Sequence, residues 1–126
     1  MCIRDRFAIV AAAREAGIEH VVVTHPDFPA QDFSVDEQLE LAGLGAWVER
    51  CFTTPYTGKC SWEQWLAGTR AVGAKRTILS SDLGQVKNPP VEDGLPLMAD
   101  RLLDAGFGED DVRTMAVTNT RKLAGL

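Results

Sequence analysis

His25 and Asp82 are the residues whose types and settings could do metal chemistry together. His25 closes the run Ile18-Glu19-His20-Val21-Val22-Val23-Thr24-His25, strongly β-prone and stopped by Pro26, which cannot donate to a ladder. Asp82 closes a second apolar run, Arg76-Thr77-Ile78-Leu79-Ser80-Ser81-Asp82, that ends in small polar residues. In parallel α/β folds ligands gather at the carboxyl ends of strands, so both side chains are expected on one rim. Imidazole and carboxylate are ordinary ligands of a divalent metal, zinc first among them, and the carboxylate can also accept a proton from water. Bland readings stand beside this one: Ser-Asp-Leu-Gly is good turn chemistry, and a loop histidine can simply bond to backbone.

A third strand, Ala46 to Phe52, brings Cys51 to the same side. With His25 as base Cys51 could act as a nucleophile, but a buried cysteine is also an ordinary small core residue. Tyr56 and Lys59, in the loop Thr53 to Lys59, and Gln85, beyond Asp82, are placed within reach of a substrate; the alternative is a solvated loop. His20, at the start of its strand, is expected near the opposite face of the sheet in a structural role. Trp47, Trp62 and Trp65 read as core or interface aromatics. The chain has neither G-x-G-x-x-G nor a P-loop, so a nucleotide cofactor has no support.

Around these residues the chain alternates. An alanine-rich helix is expected from Phe7 to Ala16, and a loop with two prolines and two phenylalanines from Pro26 to Phe33. Ser34 with Glu37, and Ser61 with Gln64, give capping boxes for helices placing Leu39, Leu41 and Leu44 inward in the first case and running to about Val72 in the second. A helix from about Gly94 to Ala105 would bury Leu95, Met98, Leu102 and Leu103; another spans Glu109 to Val117, and a last turn closes the chain. The strands are far enough apart for βαβ crossovers, and their consecutive apolar residues suit a parallel sheet covered on both faces. Three strands leave both edges open, as in part of a larger sheet.

Composition narrows the classes further. The chain of 126 residues is 45% hydrophobic, enough for one core, and 13 Lys plus Arg against 18 Asp plus Glu leave a charge of −5 with no basic stripe. A nucleic-acid surface is not expected. No apolar run reaches the ~20 residues that span a bilayer, and Met1 to Arg6 has no signal-peptide core, so a cytoplasmic protein is expected. Cys2, Cys51 and Cys60 are odd in number and lack paired short spacing, which suits reduced thiols. Residues 1–6 are set apart as a non-native or disordered leader, with residues 7–126 as the domain.

Taken together, Val21-Val22-Val23-Thr24-His25-Pro26, Leu79-Ser80-Ser81-Asp82-Leu83-Gly84-Gln85 and the terminal Asn119-Thr120-Arg121-Lys122-Leu123-Ala124-Gly125-Leu126 resemble the C-terminal part of amidohydrolase-superfamily enzymes. The nearest likeness is to an amidohydrolase-like branch of undetermined function. The resemblance implies a (β/α)8 TIM barrel with His25 as the metal-binding histidine of strand six. It likewise implies Asp82 as the strand-eight aspartate, metal ligand and general base. The strand-one His-x-His pair, the strand-four bridging residue and the strand-five histidine have no counterpart, and Thr120 stands where proline is usual. A whole barrel takes ~250 residues, so about three βα units are expected here.

The expected function is therefore that of a fragment of a metal-dependent hydrolase, acting on an amide, ester or lactone-like bond of a small molecule, with the isolated chain inactive. The competing expectation is a small non-catalytic α/β domain whose open edges pair with another copy.

Overall fold

The computed structural model describes residues 3–126. Met1 and Cys2, the beginning of the stretch set apart as a leader, lie outside the described residues. The first helix, α1 (Ile3–Glu15), begins ahead of the expected Phe7 and takes in the rest of that stretch. Arg6 is tied to the body: it donates to Gln31 Oε1 at 2.7 Å, and its guanidinium lies 4.6 Å from the centre of the Phe33 ring.

The fold is mixed α/β. Strands β1 (Val22–Thr24), β2 (Trp47–Cys51) and β3 (Thr77–Ser80) form a parallel sheet in the order β1-β2-β3, with Thr24 opposite Glu49, Glu49 opposite Ile78 and Cys51 opposite Ser80. Side chains alternate along a strand, so this register divides the sheet into two faces. One carries Val23, Val48, Arg50, Thr77 and Leu79; the other carries Val22, Thr24, Trp47, Glu49, Cys51, Ile78 and Ser80.

The helices pack on the first face. Val23 joins Val10, Phe33, Leu41 and Ala46 in one apolar cluster, while Leu79 joins Phe52, Trp65, Met98, Leu102, Val112 and Met115 in another. On the second face Val22 is 43% exposed, which corrects the expectation that the valine run is covered on both sides. Three identical residues hide an alternation that burial then reveals. Strand β1 is also shorter than the run, and His20 stands outside it, exposed, at the end opposite His25.

Helix α2 (Val35–Gly43) starts as expected: Glu37 N donates to Ser34 Oγ at 3.2 Å, and Ser34 N donates to Glu37 Oε2 at 2.8 Å. Its buried side holds Gln38 and Leu41, leaving Leu39 and Leu44 exposed. The expected loop after β2 contains a single helical turn, α3 (Thr53–Tyr56). Helix α4 (Trp62–Val72) follows Ser61, whose hydroxyl accepts from Gln64 N at 3.0 Å. A 3-10 turn (Ala74–Arg76) then leads into β3.

Helix α5 (Val91–Asp104) begins before the expected Gly94 and buries Gly94, Met98 and Leu102, spaced four apart. Leu95 and Leu103, expected inside, fall on the exposed side. Where two separate elements were expected, α6 (Glu109–Arg113), a π-helical turn (Thr114–Thr118) and α7 (Asn119–Leu123) run on without a break. Asn119 Nδ2 pins them to β3 by donating to the carbonyls of Ala74 and Thr77, each at 2.7 Å.

Between the two apolar clusters lies a charged group absent from the sequence expectations. Arg50 is fully buried on β2 and pairs with Asp27, which is 3% exposed, and its other terminal nitrogen donates to Gln38 Oε1. Gln38 Nε2 closes the ring by donating to Asp27 Oδ1 at 3.1 Å and to the Phe33 carbonyl at 3.0 Å. Burial lowers the pKa of Arg50, and the charge of Asp27 opposes that shift. Gly68 of α4 makes the room: a Cβ there would lie 2.8 Å from Arg50 Nη2. Asp27 is two residues past His25 and Arg50 one before Cys51, so this network fixes the chain at the base of two strand ends.

Candidate functional site

All three strands end in residues able to bind metal. His25 follows β1, Cys51 ends β2 and Asp82 lies two residues past β3. The His25 Nε2 to Asp82 Oδ2 distance is 3.6 Å, although β2 separates their strands. Cys51 Sγ lies 3.8 Å from His25 Nε2, and one donor atom from each of the three residues falls within 4.8 Å of the others. The sequence expectation named His25 and Asp82 as ligands and weighed Cys51 only as nucleophile or core. The register puts Cys51 on the same face as Thr24 and Ser80, so that its buried thiol also lies beside His25.

The backbone turns sharply at both outer members. His25 has φ 52° and Asp82 φ 50°, the left-handed region, where residues other than glycine are uncommon. The turn at Asp82 is held from outside by α5: a Cβ on Gly94 would lie 2.6 Å from both Ser81 Cβ and Leu83 Cδ1, so only glycine lets the helix approach this loop. The strand ladder continues into the site, with Phe52 N donating to the Ser80 carbonyl at 3.0 Å and Thr53 N to the Ser81 carbonyl at 3.3 Å.

Each donor has a second partner. Thr53 Oγ1 donates to Asp82 Oδ2 at 2.6 Å, and Thr54 Oγ1 lies 3.3 Å from His25 Nδ1, the ring nitrogen facing away from Cys51 and Asp82. Such contacts orient metal ligands and select the histidine tautomer. Cys51 Sγ lies 3.3 Å from Ser80 Oγ and 3.8 Å from Thr24 Oγ1. Burial pushes its thiol up to about 11, so the free thiol is a weak nucleophile at neutral pH.

Together the three side chains form a group that could hold a metal ion. Bonds of about 2.0–2.3 Å in a tetrahedral centre separate neighbouring donors by roughly 3.3–3.8 Å; two of the three pairs, His25 with Asp82 and His25 with Cys51, fall in that range, and all three donor atoms lie within 4.8 Å of one another.

The other expected site residues sit around this rim. Tyr56 is exposed and stacks on Phe52, with ring centres 5.0 Å apart. Lys59 Nζ lies 5.9 Å above Phe28, whose ring meets His25 edge-on at 5.8 Å. Gln85 works within its own loop, donating to the Asp82 carbonyl at 3.3 Å and accepting from Asn88 at 2.7 Å. Of two hollows, one of about 210 Å³ runs beside β1 and reaches Thr24, lined by Arg6, Ile9 and Val22 among others, and one of about 370 Å³ lies by Trp47 and Lys122. Of the three donors His25 and Asp82 are partly exposed and Cys51 is buried. Among the described residues, no helix is long and apolar enough to cross a membrane.

Residues 1–49 match the model of a family of unknown function, DUF6282. That span contains His25 and stops before Cys51 and Asp82. No curated protein and no solved structure matches the chain.

Proposed function

We propose that the chain is the C-terminal part of an amidohydrolase-like (β/α)8 barrel whose parent protein hydrolyses an amide, ester or lactone-like bond at a divalent metal held in part by His25 and Asp82. The observation that carries this reading is the 3.6 Å approach of His25 to Asp82 from two non-adjacent parallel strands. The parallel order of the three strands supports it, as does the exposure of Val22 and Thr24 at the β1 edge, on the face where Trp47, Cys51 and Ile78 are buried.

His25 and Asp82 would hold the metal, which when bound polarises a carbonyl and lowers the pKa of water. Asp82 would accept the proton, with the Thr53 hydroxyl donating to its Oδ2 and the side chain 43% exposed. Thr54 at Nδ1 keeps His25 Nε2 turned to the rim. Tyr56 and Lys59 border the space above, and Gln85 braces the loop that carries Asp82. The unpaired thiols of Cys51 and Cys60 suit a reducing cytoplasm.

The test is turnover of aryl esters, anilides and lactones by the parent protein supplied with zinc, with Asp82→Asn alongside. Loss of about 10²–10⁴-fold in the variant, with the fold intact, is the expected result. Retained turnover removes Asp82 from the chemistry, and zinc-dependent turnover by the 126-residue chain alone contradicts the fragment reading.

The exposed Val22 and the outer edges of β1 and β3 favour a second reading, a non-catalytic domain that pairs with another copy of itself. It predicts a stable dimer by light scattering and no turnover in the parent.

A further inference from the structure

We infer that Cys51 is a third ligand of the metal held by His25 and Asp82, and that its sulfur makes the centre select zinc or cobalt(II) over magnesium and manganese. The inference rests on the proposal above only in that a metal binds at this rim; it requires no hydrolysis.

The setting of Cys51 is that of a ligand rather than of core filling. The residue is 3% exposed yet belongs to neither apolar cluster. Its sulfur faces polar atoms instead: Ser80 Oγ at 3.3 Å, Thr24 Oγ1 at 3.8 Å and His25 Nε2 at 3.8 Å. Two hydroxyls beside a sulfur can donate to a thiolate, as outer partners do around metal-bound sulfur. With Thr54 at His25 Nδ1 and Thr53 donating to Asp82 Oδ2, the oxygen that faces His25, every one of the three donors has a hydroxyl partner.

The rest follows from ligand chemistry. Three protein ligands and one open position are the usual pattern of a reactive zinc site. Magnesium and manganese favour sets of carboxylate, carbonyl and water, whereas a thiolate favours zinc and its spectroscopic substitute cobalt(II).

Cobalt(II) titration of the full chain, followed by absorption, tests this. A thiolate ligand gives an intense near-ultraviolet charge-transfer band, and an oxygen and nitrogen site does not. The double variant Cys2→Ser/Cys60→Ser, which keeps Cys51 as the sole cysteine, is expected to retain the band at full strength. Cys51→Ser is expected to lose it and to bind zinc at least tenfold more weakly, with manganese affinity unchanged and circular dichroism matching the parent chain. Loss of the band in the double variant, or cobalt binding that depends on His25 without any such band, overturns the role of Cys51 while leaving the His25 and Asp82 proposal standing. No cobalt or zinc binding by the full chain overturns the three-ligand centre, whereas the His25 and Asp82 proposal is decided by turnover of the parent protein and its Asp82→Asn variant.

Discussion

His25 and Asp82 leave different strands, each with a left-handed backbone, at φ 52° and 50°, and their side chains meet at 3.6 Å across the strand between them. Two uncommon conformations converging on one point are costly for the fold, of order 1 kcal/mol or more each, and glycine would relieve them. A position kept in this conformation for its side chain should therefore trade stability for binding. Asp82→Gly is expected to be no less stable than the parent chain in urea denaturation and to lose zinc binding. A loss of more than about 2 kcal/mol would mark Asp82 as a structural cap.

The threonines beside Asp82 and His25 make a separate prediction. Thr53→Val and Thr54→Val keep size while removing the hydroxyls that hold Asp82 and His25. Each should weaken zinc binding by about 10–100-fold, read by competition with a chromophoric chelator, with little change in secondary structure.

The buried pair beneath the site should dominate stability. Asp27→Ala strands a guanidinium that is fully buried, with an expected cost of about 3–5 kcal/mol in denaturant. The double variant Asp27→Leu/Arg50→Met removes both charges and should recover much of that loss. Gly68→Ala pushes a methyl against the same guanidinium and should cost about 1–3 kcal/mol.

Alkaline pH supplies a fourth prediction for the metal-free chain. Burial pushes both Cys51 and Cys60 up to about 11 from 9.0, so between those values the folded chain holds protons that the unfolded chain has released. Stability therefore falls as pH rises from about 9 to 11. Cys51→Ser should show a shallower fall than the parent chain in melts across that range.

What the sequence conveyed was local. Ser34 with Glu37 and Ser61 with Gln64 mark helix starts within four residues, and Pro26 and Ser-Asp mark where strands stop, which was enough to bring His25 and Asp82 to one rim. Contacts set by register were not readable. Asp27 and Arg50 lie 23 residues apart, and only the packing of α2 and α4 over β2 turns them into a pair. The sheet register places Cys51 beside Thr24 and Ser80 and within 3.8 Å of His25, a juxtaposition the sequence did not show. Leu41 and Leu102 are buried as expected, but Leu39, Leu44, Leu95 and Leu103 are exposed, because each helix is covered along a narrow line, Gln38 with Leu41 and Met98 with Leu102.

The central claim is that a divalent metal is held between His25 and Asp82. Zinc titration of the metal-free chain by isothermal calorimetry, beside His25→Ala and Asp82→Asn, tests it most directly. One equivalent bound by the parent chain, with at least tenfold weaker binding in each variant, is the predicted result. Zinc taken up equally by all three proteins would contradict it.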